Sequence, residues 1–93
     1  MRIENLPLRC SCGSEYMRHQ LVDVFVRDVE DGPVNCVGVS GKTVEFYTGA
    51  VDCPSARRDA VVVTVHCEQC ELVWDLQVIQ HKGQTLLTFK LCE

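Results

Sequence analysis

The chain has 93 residues, 46% of them hydrophobic and 24% charged, which fits one soluble folded domain without room for a second core. Its formal net charge of −4 argues against non-specific nucleic-acid binding driven by phosphate neutralisation. No run approaches the roughly 18–20 apolar residues needed to cross a bilayer as a helix.

In chain order, residues 1–9 read as an irregular lead-in that Pro7 keeps from regular structure. They lack the continuous apolar stretch of a secretory signal, so a cytoplasmic, reducing environment is expected. Cys10 to Ser14 is a first knuckle, and residues 16–20 read as a turn or the start of a strand. Leu21 to Arg27 is rich in β-branched and aromatic residues and predicts a strand, and the polar Asp28-to-Pro33 segment predicts a loop. Val34 to Val39 and Thr43 to Tyr47 predict a hairpin around Ser40-Gly41-Lys42, with Val44 and Phe46 on the expected buried face.

Thr48 to Asp59 contains Gly49, Pro54 and the Arg57-Arg58 pair and predicts the longest irregular connection, of a length that makes it a functional suspect. Ala60 to His66 predicts a strand leading into the Cys67-Glu68-Gln69-Cys70 turn. Val73 to Ile79 and Thr85 to Leu91 alternate around a His81-Lys82-Gly83 turn, which places Trp74, Leu76, Val78, Leu87, Phe89 and Leu91 toward the core. Helical periodicity, repeats and low-complexity tracts are not found. Residues 1–93 are therefore expected to form one small, mostly β, antiparallel domain with a zinc-ribbon-like pair of cysteine knuckles.

Seven cysteines is heavy usage. Their odd number and the expected compartment favour metal ligands or buried apolar residues over a disulfide framework. Two residues between cysteines at a strand-to-strand turn let both sulfurs converge on one tetrahedral ion. Cys67 and Cys70 have that spacing, and Cys10 and Cys12 offer a second pair, so one structural Zn2+ per chain is expected. A chain this short buries only about 60–65% of its unfolded surface, which makes a metal staple useful. The first pair departs from knuckle spacing, because a single residue separates Cys10 from Cys12. Either Cys10 reaches the ion from a distorted turn, or His19 or His66 takes the fourth position. Four protein ligands leave no open coordination position for catalysis.

A thiol-redox function for Cys67 and Cys70 competes, but such pairs gain a reactive thiolate at a helix N-terminus, and a strand is expected after Cys70. Cys36 reads as a core residue, Cys53 as part of the long connection, and Cys92 as terminal; none has a visible activating partner.

Four blocks carry a resemblance: Cys12-Gly13-Ser14-Glu15-Tyr16-Met17-Arg18-His19, Pro54-Ser55-Ala56-Arg57-Arg58-Asp59, Cys67-Glu68-Gln69-Cys70, and Gln80-His81-Lys82-Gly83-Gln84-Thr85. In this order they resemble small zinc-ribbon-like hypothetical proteins of phages and other bacterial mobile elements. The resemblance implies a zinc-ribbon-like fold and a mobile-element origin, and brings no activity. The chain departs from that pattern at Cys10-Ser11-Cys12, at Glu71 where glycine is usual, and at Cys53 where asparagine is usual.

In an antiparallel hairpin the start of one strand lies beside the end of the next, so Arg57, Arg58, His81 and Lys82 are placed to meet opposite the metal. They form a candidate site for an anion or a partner, against the plainer reading of solvated turn charges. A non-enzymatic interaction module is expected, with a protein or nucleic-acid partner and no membrane or small-molecule substrate. Nucleic-acid binding through those four residues is the first alternative and thiol-redox chemistry the second.

Overall fold

The computed structural model describes residues 7–49 and 53–92. Six strands, β1 (Met17–Arg27), β2 (Val34–Ser40), β3 (Thr43–Gly49), β4 (Ala60–Cys67), β5 (Val73–His81) and β6 (Gln84–Leu91), form one open sheet. Its order is β3-β2-β1-β4-β5-β6, and every neighbouring pair is antiparallel. The chain thus makes two three-stranded meanders joined along β1 and β4. No helix occurs among the described residues.

Short turns dictate the antiparallel pairing within each meander. Lys82 and Gly83 both take positive φ, 50° and 80°, the combination a tight β5–β6 turn needs to match strand twist. The strand expectations hold in number and order, but β1 reaches further back than Leu21, β3 runs on to Gly49 and β5 to His81, so the irregular connection is shorter and the last turn tighter than expected. Its first residues pair with the end of β4, Met17 opposite Cys67 and Arg18 opposite His66. A register shift between His19 and Leu21 leaves Gln20 as the extra residue of a bulge. This local kink turns the entrance of β1 toward the β4–β5 turn.

Directly paired residues share a face of the sheet, and the two faces differ sharply. On one, Phe25, Val34, Cys36, Ala60 and Val62 form the buried cluster, with Cys53 of the β3–β4 connection packed on it. That connection crosses this face: the Ser55 hydroxyl donates to the Gln80 carbonyl at 2.9 Å and accepts from the Arg58 amide at 3.0 Å. Arg27 fastens it further. Its guanidinium donates to the Ser55 carbonyl at 3.1 Å, to the Arg58 carbonyl, and to the Gly32 carbonyl at 2.9 Å.

The opposite face carries two uninterrupted apolar rows across all six strands. One runs Val44, Val39, Val22, Val63, Leu76, Phe89. The next runs Phe46, Val37, Val24, Val61, Val78, Leu87. All the residues expected to face the core do share this face, Trp74 and Leu91 lying beside the two rows. The first cysteine knuckle covers its Val65–Trp74 end, where Val65 is only 2% exposed, but among the described residues nothing covers the outer strands. Phe46 is 76% exposed and Leu87 73%, while Gln77, from the expected polar side of β5, is only 8% exposed. Alternation specifies which residues lie together. The path of a connection decides which face is covered, and here it passes over the more polar one.

Candidate metal centre

The β4–β5 turn and the N-terminal segment bring four sulfurs together. The ligand atoms of Cys10, Cys12, Cys67 and Cys70 all lie within 4.8 Å of one another. The Sγ atoms of Cys10 and Cys70 are 3.4 Å apart, and those of Cys12 and Cys67 are 3.7 Å apart. A tetrahedral thiolate site with bonds of about 2.3 Å sets its sulfurs about 3.8 Å apart. The group can therefore hold one metal ion. None of the seven cysteines is in a disulfide.

The two knuckles have the same construction with one residue of difference. In the second, the Glu71 amide donates to the Cys67 carbonyl at 3.0 Å and the Cys67 amide to the Leu72 carbonyl at 2.9 Å. In the first, the Gly13 amide donates to the Cys10 carbonyl and the Cys10 amide to the Ser14 carbonyl, both at 2.9 Å. Each bond in the first knuckle spans one residue fewer. The residue following the second cysteine takes positive φ in both, 94° at Gly13 and 64° at Glu71. A tighter turn thus absorbs the missing residue between Cys10 and Cys12, and Glu71 holds the left-handed position that glycine fills in the first knuckle.

Three further contacts seat the centre on the sheet. Cys67 is fully buried and Cys10 nearly so, whereas Cys12 and Cys70 are at the surface. The Glu68 amide donates to the Tyr16 carbonyl at 3.0 Å, which ties one knuckle to the segment leaving the other. The Trp74 indole Nε1 donates to Cys10 Sγ at 3.3 Å, and its ring stacks on Phe89 with centroids 4.8 Å apart.

Electrostatics within the cluster are uneven. The Cys12 amide lowers the Cys10 thiol most; with Trp74, Cys70 and Cys12 it overcomes desolvation and brings the thiol to about 6. The amides of Cys70 and Gln69 similarly lower Cys67. At Cys70 the Leu72 amide favours the thiolate, but the Cys10 sulfur, desolvation and the Cys67 and Cys12 sulfurs prevail and push it up to about 12. Four sulfurs so close cannot all carry charge without a cation between them.

No protein family, curated protein or solved structure matches this chain.

The other candidate residues lie apart from this cluster. His19 is exposed on β1, and His66 is half-buried on β4, pointing to the face opposite its neighbour Cys67. The thiol cluster includes neither. Strand β5, and not a helix, follows Cys70. Arg57 makes a two-pronged ion pair with Asp31, 2.9 Å at each contact, and Arg58 reaches Glu30 at 3.2 Å. The cleft beside them is lined by Arg27, Asp28, Glu30, Asp59 and Gln80. His81 and Lys82 sit exposed at the β5–β6 turn and are not part of that lining. The arginines thus face acids of the β1–β2 loop.

Two residues with site roles escaped sequence reasoning. Trp74 was expected in the core, and only its place four residues past Cys70 hints that its N–H reaches sulfur. Arg27 looks like an ordinary strand-end charge, and its carbonyl partners lie in two loops distant in sequence.

Proposed function

We propose that this chain is a small interaction module of mobile-element type, held by one structural zinc ion on Cys10, Cys12, Cys67 and Cys70. It binds a protein or nucleic-acid partner of the element or its host and catalyses no reaction. The observation that carries the zinc assignment is the convergence of four sulfurs from two turn-built knuckles. A tetrahedral all-sulfur donor set suits zinc, and filling every position with protein ligands makes the site structural. Support for a non-catalytic role comes from Cys36 and Cys92. Burial pushes the Cys36 thiol up, with Asp23 and Cys53 adding to it, and burial and Asp75 do the same to Cys92.

Zinc would supply cross-linking here: it would bind the N-terminal segment to the β4–β5 turn and neutralise thiolates that otherwise repel. The chain contributes the amides and the Trp74 N–H that hold negative charge on sulfur. The test is the metal content of freshly purified protein by mass spectrometry, with a chelator melt beside it. About one zinc per chain and unfolding on its removal are expected. Metal-free protein with an unchanged melt would overturn the assignment, and disulfide reduction by that protein would favour the redox alternative instead.

A further inference from the structure

We propose that the open apolar face of the sheet is the interface of a homodimer, in which two copies pack face to face as a β-sandwich. Folded domains generally need at least two layers around a core, and within the described residues this chain supplies one sheet, a strap over its other face, and on this face the first cysteine knuckle at the Val65–Trp74 end alone. The uncovered face has the composition of a dimer interface. Its two central rows contain no polar or charged side chain, although the chain as a whole carries a net charge of −4. A two-fold axis brings each patch against itself or a near neighbour, so only a charge-free patch avoids like-charge repulsion in a self-pairing acidic protein.

The area also suffices. A position on one face of a sheet occupies about 4.8 Å across the strands by about 6.7 Å along them, so the two full rows with the neighbouring positions Thr48, Asn35, Val26, Gln80 and Thr85 cover roughly 550 Å² per copy. A pair of copies then buries roughly 1,100 Å² before side-chain relief is counted, which clears the threshold of about 1,000 Å² for a specific interface.

The edge away from the cysteine cluster is polar and neutral, and its groups bond within the chain. The Thr48 hydroxyl donates to Asn35 Oδ1 at 3.2 Å, and the Gln80 amide to Thr85 Oγ1 at 2.5 Å. Such a rim can meet a partner without leaving buried groups unpaired. Twisted sheets of one hand pack aligned within about 30°, which two identical sheets satisfy together.

The experiment is analytical ultracentrifugation of the full chain as purified, from about 1 to 100 μM, beside Phe46→Lys and Leu87→Lys. Both residues are largely exposed in the single chain, on the outer strands β3 and β6, so a monomer tolerates either change. The expected result is a wild-type particle of twice 10.5 kDa and at least tenfold weaker association in each variant with unchanged β-sheet circular dichroism. A wild-type monomer throughout, or dimers unaffected in both variants, would overturn the proposal. A monomer that floats with phosphatidylcholine vesicles would also overturn it, by assigning the face to lipid. Where a variant fails to fold, the wild-type melt decides: a Tm that rises with protein concentration supports the dimer, and a constant Tm refutes it.

Discussion

The indole N–H of Trp74 points at the sulfur of Cys10, 3.3 Å away and 64 positions earlier in the chain. This bond links the first strand after the second knuckle to the first cysteine of the other, and so ties the four-cysteine cluster to the sheet. Replacing Trp74 by Phe keeps a ring to stack on Phe89 and removes only the donor. We expect metal affinity to fall about tenfold, the lower end for loss of a group that orients a ligand. Competition with a chromophoric chelator measures it, and an unchanged affinity would show that the bond is incidental.

Removing Cys67 should be far more severe. Structural zinc contributes on the order of 10 kcal/mol of folding free energy, comparable with the whole stability of a small domain. Cys67→Ser is therefore expected to be unfolded by circular dichroism at room temperature with or without added zinc. A cooperative melt near that of wild type would show that the sheet stands without its metal.

Glu71 occupies a left-handed backbone position at φ 64°. Such a conformation costs a residue with a side chain about 1–2 kcal/mol, part of which glycine returns through its freer unfolded state. Glu71→Gly should thus stabilise the metal-loaded protein by about 0.5–1 kcal/mol, read as a rise in denaturant midpoint. A lower midpoint would mean that the Glu71 side chain contributes more than its backbone strains.

Arg27 and Arg57 make a contrasting pair. Arg57 is a surface cation on an exposed Asp31, and solvent screening leaves such a pair contributing little. Arg27 satisfies carbonyls in two loops from partly buried positions, and losing charged hydrogen bonds of this kind costs about 2–3 kcal/mol. Arg27→Ala should therefore lower the denaturant midpoint well below that of Arg57→Ala. Equal effects would show that the strap over the core is not held by Arg27.

Burial, reinforced by Asp75, raises the pKa of Asp23 above its ordinary value. A raised carboxylate pKa means that protonation favours the fold. Its contribution is present below the unfolded pKa and is lost as pH rises through the folded one. Asp23→Asn should accordingly gain stability over wild type as pH rises. Denaturation across a pH series starting below the ordinary Asp pKa of about 3.9 checks this, and an advantage that shrinks with rising pH would contradict the sign.

Much of the architecture is legible in local pattern. The alternation of Val44 with Phe46 and of Leu87 with Phe89, the turn chemistry of Lys82-Gly83, and the spacing of Cys67 and Cys70 depend on neighbouring residues alone. The first knuckle was partly legible: its cysteines were named, but only the hydrogen bonds of Cys10, Gly13 and Ser14 show how a turn one residue shorter brings both sulfurs to the cluster. The pairing of Arg57 with Asp31 and of Arg58 with Glu30, where His81 and Lys82 were expected as companions, depends on how the β3–β4 connection meets the β1–β2 loop.

The sequence by itself determined the class of fold, the turns and the cysteine set, because strand alternation and ligand spacing are properties of short segments. Only the tertiary structure decided which face is covered, that Trp74 reaches Cys10, and that β1 joins the two meanders through β4. Those outcomes depend on the course of long connections, and a connection selects among faces and partners that local pattern leaves equivalent.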